Sequence, residues 1–89
     1  MMDTAQRCPV CAERLDFHPW NGTSASDEIC PGCGIQFGYN DARSDLRSRV
    51  YDAWRDEWIT NGRQPITGAR WREVSKRVGQ AVANASDAG

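Results

Sequence analysis

The chain predicts a small α+β fold, with short antiparallel strands pinned by cysteines and followed by two α-helices. Three observations carry that prediction. The four cysteines form two pairs, Cys8-Pro9-Val10-Cys11 and Cys30-Pro31-Gly32-Cys33, separated by 18 residues. Short stretches after each pair alternate apolar and polar residues, the period of a strand. From residue 42 onward the apolar residues recur instead with the period of a helix. Two C-x-x-C pairs at this separation describe a tetrahedral metal site, so the N-terminal half reads as a four-cysteine zinc ribbon with two knuckles.

The elements follow in order. Residues 1–6 read as a loose terminus. The first knuckle is Cys8–Cys11, and the alternating Arg14-Leu15-Asp16-Phe17 suits a strand after it. His18 to Ser26 contains Pro19, Asn21, Gly22, Thr23 and Ser24 and reads as a loop. Glu28-Ile29 leads into the second knuckle. Ile35-Gln36-Phe37-Gly38-Tyr39 reads as its return strand, with Ile35, Phe37 and Tyr39 on one face and Gly38 marking a bulge or a close approach. Gly34 suits a position of positive φ, with its N–H directed at a thiolate. The ribbon spans residues 8–40.

A helix over 42–60 follows. Leu46, Val50, Tyr51, Trp54, Trp58 and Ile59 stand at offsets 0, 4, 5, 8, 12 and 13, one helical face. Asp41 or Ser44 suits its N-cap, and Asn61-Gly62 its stop. Pro65 and Gly68 mark a linker. A second helix over 69–84 carries Trp71, Val74, Val78, Ala81 and Val82, with Gly79 weakening its interior by about 1 kcal/mol. Residues 85–89 read as a frayed tail. Neither a sequence repeat nor a low-complexity stretch stands out.

Chemistry narrows the metal. A site of four thiolates is closed and leaves no position for water or substrate, so it is structural. Zinc is expected at one ion per chain, held by Cys8, Cys11, Cys30 and Cys33; iron suits the same tetrahedral sulfur set. His18 beside Pro19 and Trp20 reads as a loop histidine rather than a ligand. Structural disulfides need an oxidising compartment. The N-terminus lacks an apolar signal core and no apolar run is long enough to span a membrane, so a cytoplasmic chain with reduced thiols is expected. At 89 residues, with 39% hydrophobic content, the chain reads as one domain that needs a staple. Zinc bound to such sites contributes about 10–16 kcal/mol in small peptides, against a usual domain stability of roughly 5–15 kcal/mol.

Net charge is −1, yet it is unevenly spread. Residues 1–39 hold two basic against five acidic groups, and residues 40–80 nine basic against six acidic. Ten of the eleven basic residues are arginine, which favours bidentate contacts with carboxylate or phosphate; a solvated, ion-paired helix surface is the simpler reading. Four tryptophans are many for this length. Trp54 and Trp58, with Tyr51, read as core facing the ribbon. Trp20 and Trp71, in or next to loops, read as interface anchors, with Arg43, Arg47, Arg55, Arg70 and Arg72 as the candidate partner surface.

The first pair, then Asp27-Glu28-Ile29-Cys30-Pro31-Gly32-Cys33-Gly34-Ile35-Gln36-Phe37-Gly38-Tyr39-Asn40-Asp41, then Trp54 and Trp58-Ile59 before Gly62, resemble the bacterial cysteine-rich CPCC family. The resemblance covers about residues 8–62. It departs at Ala12, where the family pattern has a glycine after the first pair. The resemblance implies a small zinc ribbon and no particular activity.

Three classes of function compete. The closed site and the aromatic surplus favour a non-catalytic module binding a protein partner, as an adaptor, a regulator or an immunity-type inhibitor. The alternative is a nucleic-acid-binding zinc ribbon, favoured by the basic second half and opposed by a pI of about 5.7. An enzyme is not expected. There is one histidine, no nucleophile with an identifiable base and no phosphate loop.

Overall fold

Each cysteine pair folds its segment in the same way, and the rest of the architecture is built around that. The computed structural model describes residues 6–88, with side chains described through residue 83. Met1–Ala5 and Gly89, parts of the expected loose terminus and tail, lie outside the described residues. Strand β1 (Gln6–Arg7) pairs antiparallel with β2 (Arg14–Leu15), in register Gln6 with Leu15 and Arg7 with Arg14. The first cysteine pair is the connection between them.

The expected loop over 18–26 contains a second strand pair. β3 (Trp20–Asn21) runs antiparallel to β4 (Ser24–Ala25) around the two-residue turn Gly22-Thr23. Gly22 takes φ +65°, the glycine-first pattern of a tight hairpin turn. The polar composition hid this pair.

The return strand expected over 35–39 is not formed. Ile29 bridges Gln36, Cys30 N–H donates to Ile35 O and Phe37 N–H to Glu28 O, and the chain then turns. Two contacts cause the turn. Gly38 adopts φ +91°, and a Cβ there would lie 2.5 Å from that of Ala25, so the glycine serves a close approach. Its N–H is captured by the Asp41 carboxylate at 2.6 Å. Ile35 and Phe37 are fully buried, whereas Tyr39, expected beside them, is 65% exposed.

The helical half opens with a 3₁₀ turn over Ser44–Leu46, which leads into α1 (Arg47–Thr60). Neither Asp41 nor Ser44 caps the start: Arg43 and Leu46 hold the cap positions without a side-chain cap bond. Asp41 is committed elsewhere, as described below. The stop at Asn61-Gly62 is a Schellman motif. Gly62 N–H donates to Ile59 O and Arg63 N–H to Trp58 O, with Gly62 at φ +74°. Helix α2 (Gly68–Ala88) runs past residue 84, because the alanine-rich end offers no glycine or proline until Gly89.

The helices pack on each other and on the cysteine turns. Leu46, Val50 and Trp54 of the first helical stretch and Val74, Val78 and Val82 of α2 join Val10, Leu15, Ile35, Phe37 and Ile66 in one core with the buried cysteines. Ile59 and Ala81, placed on the buried faces by periodicity, are exposed. Phe17 meets Phe37 edge-on at 6.2 Å. Arg77 forks onto Glu57 at 2.7 and 2.8 Å and ties α2 to α1. Among the described residues no helix is long and apolar enough to cross a membrane.

Candidate metal centre

The two C-x-x-C turns repeat one hydrogen-bond pattern at an offset of 22 residues. In the first, Cys8 N–H donates to Glu13 O at 2.9 Å, Ala12 N–H to Cys8 O at 2.9 Å, and Val10 N–H to Cys8 Sγ at 3.4 Å. In the second, Cys30 N–H donates to Ile35 O at 2.8 Å, Gly34 N–H to Cys30 O at 2.9 Å, and Gly32 N–H to Cys30 Sγ at 3.3 Å. Thus the N–H aimed at sulfur belongs to the residue two past the first cysteine of each turn. The Gly34 N–H expected to point at a thiolate closes the backbone turn instead. Gly34 takes φ +89° and Ala12 takes φ +66° at the matching place.

This geometry gathers all four sulfurs. Their Sγ atoms lie within 4.8 Å of one another. Two of the approaches cross between the turns: Cys8 to Cys33 at 3.8 Å and Cys11 to Cys30 at 3.6 Å. A regular tetrahedron with metal–sulfur bonds of about 2.3 Å has edges of about 3.8 Å, so the donor set fits one tetrahedral ion. Cys8, Cys30 and Cys33 are buried, and Cys11 is partly exposed. His18 is exposed and does not belong to the cluster.

Sulfurs this close cannot all ionise without a cation between them. Hydrogen bonding to Cys30 and Cys8, then burial, holds the Cys33 thiol up, and burial pushes Cys11 up to about 12. The Cys30 thiolate is favoured, because the Cys33 and Cys8 thiols donate to it. A divalent ion removes this conflict by allowing every sulfur to be a thiolate.

The helices fix the turns by their carbonyls. Three indole N–H groups donate to three successive carbonyls of the second turn: Trp58 to Gly32 O at 2.9 Å, Trp54 to Cys33 O at 2.9 Å, and Trp71 to Gly34 O at 2.7 Å. Ile66 N–H also donates to Cys33 O at 3.2 Å. The first turn is held by Arg55, whose guanidinium donates to Pro9 O at 2.6 Å and Val10 O at 2.7 Å. Such outer contacts fix the orientation of metal ligands. A buried indole needs an acceptor, so the tryptophan count itself was a usable signal for this clamp.

A second polar centre was not anticipated from the sequence. Asp41 is fully buried. Its carboxylate accepts from Gly38 N–H, from Trp20 Nε1 at 2.9 Å and from the Tyr51 hydroxyl at 2.6 Å. Burial, then the contact with Asp41, raises the Tyr51 pKa. Arg47 donates to Asp41 O at 3.0 Å and lies 3.8 Å over the Trp20 ring.

The residues expected to form a partner surface are therefore dispersed. Trp20 and Arg47 belong to the Asp41 centre, and Arg55 to the first cysteine turn. Arg43 pairs with Asp45 at 2.6 Å. Trp71 is half-buried over Gly34, while Arg70 and Arg72 are exposed on α2. Ile66, in the linker, had no periodic signal, yet it is buried against the second turn.

The protein so defined is a small α+β chain with two antiparallel strand pairs, two helices and a cluster of four cysteines able to hold a metal ion. Comparison of the chain with family models, curated proteins and solved structures found no significant match.

Proposed function

We propose that the chain is a non-catalytic, zinc-ribbon module of the CPCC type, in which Cys8, Cys11, Cys30 and Cys33 hold one structural zinc. Its role is to bind a protein partner as an adaptor, regulator or immunity-type inhibitor. The observation that carries the reading is the cluster of four sulfurs within 4.8 Å of one another, with both helices hydrogen-bonded to the cysteine turns. Four thiolates complete the shell of a tetrahedral ion, so the bound metal supplies fold stability and negative-charge neutralisation. The helices then present a surface whose position depends on the metal. Zinc is preferred because it takes tetrahedral sulfur without a redox demand; iron is the alternative. The nucleic-acid reading loses support because Arg43, Arg47 and Arg55 are held by acceptors within the chain.

Elemental analysis of the purified chain tests the reading, with about one zinc per chain expected. Visible colour would identify iron. Removing the metal with a chelator should abolish the near-UV dichroism of the tryptophans and unfold the N-terminal half. A folded, reduced sample without metal, or a thermal midpoint indifferent to chelation, refutes the structural role.

A further inference from the structure

We infer that the face around Trp71 docks an acidic peptide segment of the partner, one that carries apolar side chains between its carboxylates; this deepens the protein-binding reading above and rests on it. Two grooves meet there. One, of about 370 Å³, is lined by Tyr39, Asn40, Ser75, Lys76 and Gly79. The other, of about 320 Å³, is lined by Ile29, Gln36, Ile66 and Thr67. Trp71 and Arg72 form a wall of both. Two of the large hydrophobic side chains left exposed, Tyr39 and Ile29 (51%), flank this wall. Tyr39 stacks on Trp71 at 5.7 Å, so the aromatic ridge is held in place.

Charge selects the occupant. Arg72 and Lys76 stand one turn apart on α2, both exposed, and neither makes an ion pair among the described residues. Arg43, Arg55 and Arg77 behave differently, pairing with Asp45, Asp52 and Glu57. The polar floor is already satisfied: Asn40 donates to Ser75 Oγ at 3.1 Å and accepts from Gln36 N–H at 2.8 Å. What faces a ligand is therefore mainly apolar surface with two cations. Gly79 has nothing within 4 Å of where a Cβ would sit, which leaves the end of the groove open. An extended segment can seat one apolar side chain in each groove while its carboxylates meet Arg72 and Lys76. A nucleic-acid strand needs a longer cationic track and free aromatic faces, and here one face of Tyr39 is stacked on Trp71.

The test is a fluorescence-anisotropy titration of the metal-loaded chain. One probe is a pool of labelled short peptides alternating aspartate or glutamate with leucine or phenylalanine. The second probe replaces the acids with lysine, and the third is a labelled single-stranded oligonucleotide. The acidic pool should bind and the basic pool should not. The double variant Arg72→Glu, Lys76→Glu should weaken binding by more than about tenfold. Tyr39→Ser should also weaken it, and unchanged far-UV dichroism in both variants establishes their folding. Acidic-pool binding that ignores the charge reversal overturns the groove while leaving a protein-binding module intact. Oligonucleotide binding lost in the same double variant, with no peptide binding, overturns the groove's peptide role and the protein-partner reading together. Absence of binding by any probe up to about 1 mM overturns the groove as a docking surface.

Discussion

Replacing Ala12 with glycine should stabilise the protein, although glycine usually weakens an ordered position. Ala12 follows the first cysteine pair as Gly34 follows the second, and both hold a positive φ, +66° and +89°. The left-handed region costs a side chain with a Cβ about 1–2 kcal/mol, whereas glycine enters it freely. Against this, glycine adds about 0.5–1 kcal/mol of unfolded-chain entropy. The Ala12 methyl is exposed, so its loss removes little packing. The balance favours Ala12→Gly by about 0.5–1 kcal/mol, or a rise of roughly 2–8 °C in midpoint for a domain of this size. Thermal and urea denaturation of the metal-loaded variant and parent check this, at equal buffered free metal because binding raises the midpoint. The converse change, Gly34→Ala, meets a different environment. Its Cβ would lie 2.1 Å from Ile66 O, so the linker must move and the Ile66 N–H bond to Cys33 O must break. That change should cost more than about 3 kcal/mol. An unchanged or lowered midpoint for Ala12→Gly would refute the claim that the first turn carries this strain.

Three further outcomes are expected. Asp41→Asn keeps the shape of the buried side chain but sets an amide N–H₂ against either Gly38 N–H or Trp20 Nε1, so urea unfolding should show a loss of about 2–3 kcal/mol; a loss near zero would remove Asp41 from the framework. Arg55→Ala frees the Pro9 and Val10 carbonyls, and stopped-flow transfer of metal to a chromogenic chelator should speed up by about tenfold, a rate unchanged from the parent counting against the clamp. The Arg77 fork holds the Glu57 carboxyl below its ordinary range, so its contribution is present above that range and is lost as pH falls through the lowered value. The stability difference between parent and Glu57→Gln should therefore be largest near neutrality and vanish in acid, and a difference that grows in acid would contradict the sign.

The cysteine cluster was legible because two residues between cysteines constrain the chain locally, and nothing distant is needed to bring a pair of sulfurs together. Both helices were legible from their periodicity, since Val50 and Trp54, and Val74, Val78 and Val82, recur where one face must be buried. The misreadings arose where a tertiary contact overrode a local pattern. Ile35, Phe37 and Tyr39 alternate like a strand, but Asp41 captures Gly38 N–H and turns the chain, sending Tyr39 outward. Asp41 looked like a helix cap because the partners of its buried carboxylate, Trp20 and Tyr51, lie 21 and 10 residues away. Trp54 and Trp58 were recognised as core by their apolar rings, while their N–H groups, aimed at the second cysteine turn, carry the more specific role.

The ring of indoles around the second cysteine turn also makes the protein its own optical probe. Trp54, Trp58 and Trp71 sit one hydrogen bond from the backbone of Gly32, Cys33 and Gly34, and Trp54 is fully shielded from solvent. Their emission colour therefore reports whether that turn is assembled. Unlabelled chain, excited at the indole band, should shift toward the red as the turn opens to water, so assembly can be followed in real time, in a lysate fraction enriched for the chain or on a stopped-flow mixer, without attaching a dye to a molecule small enough for the dye to disturb.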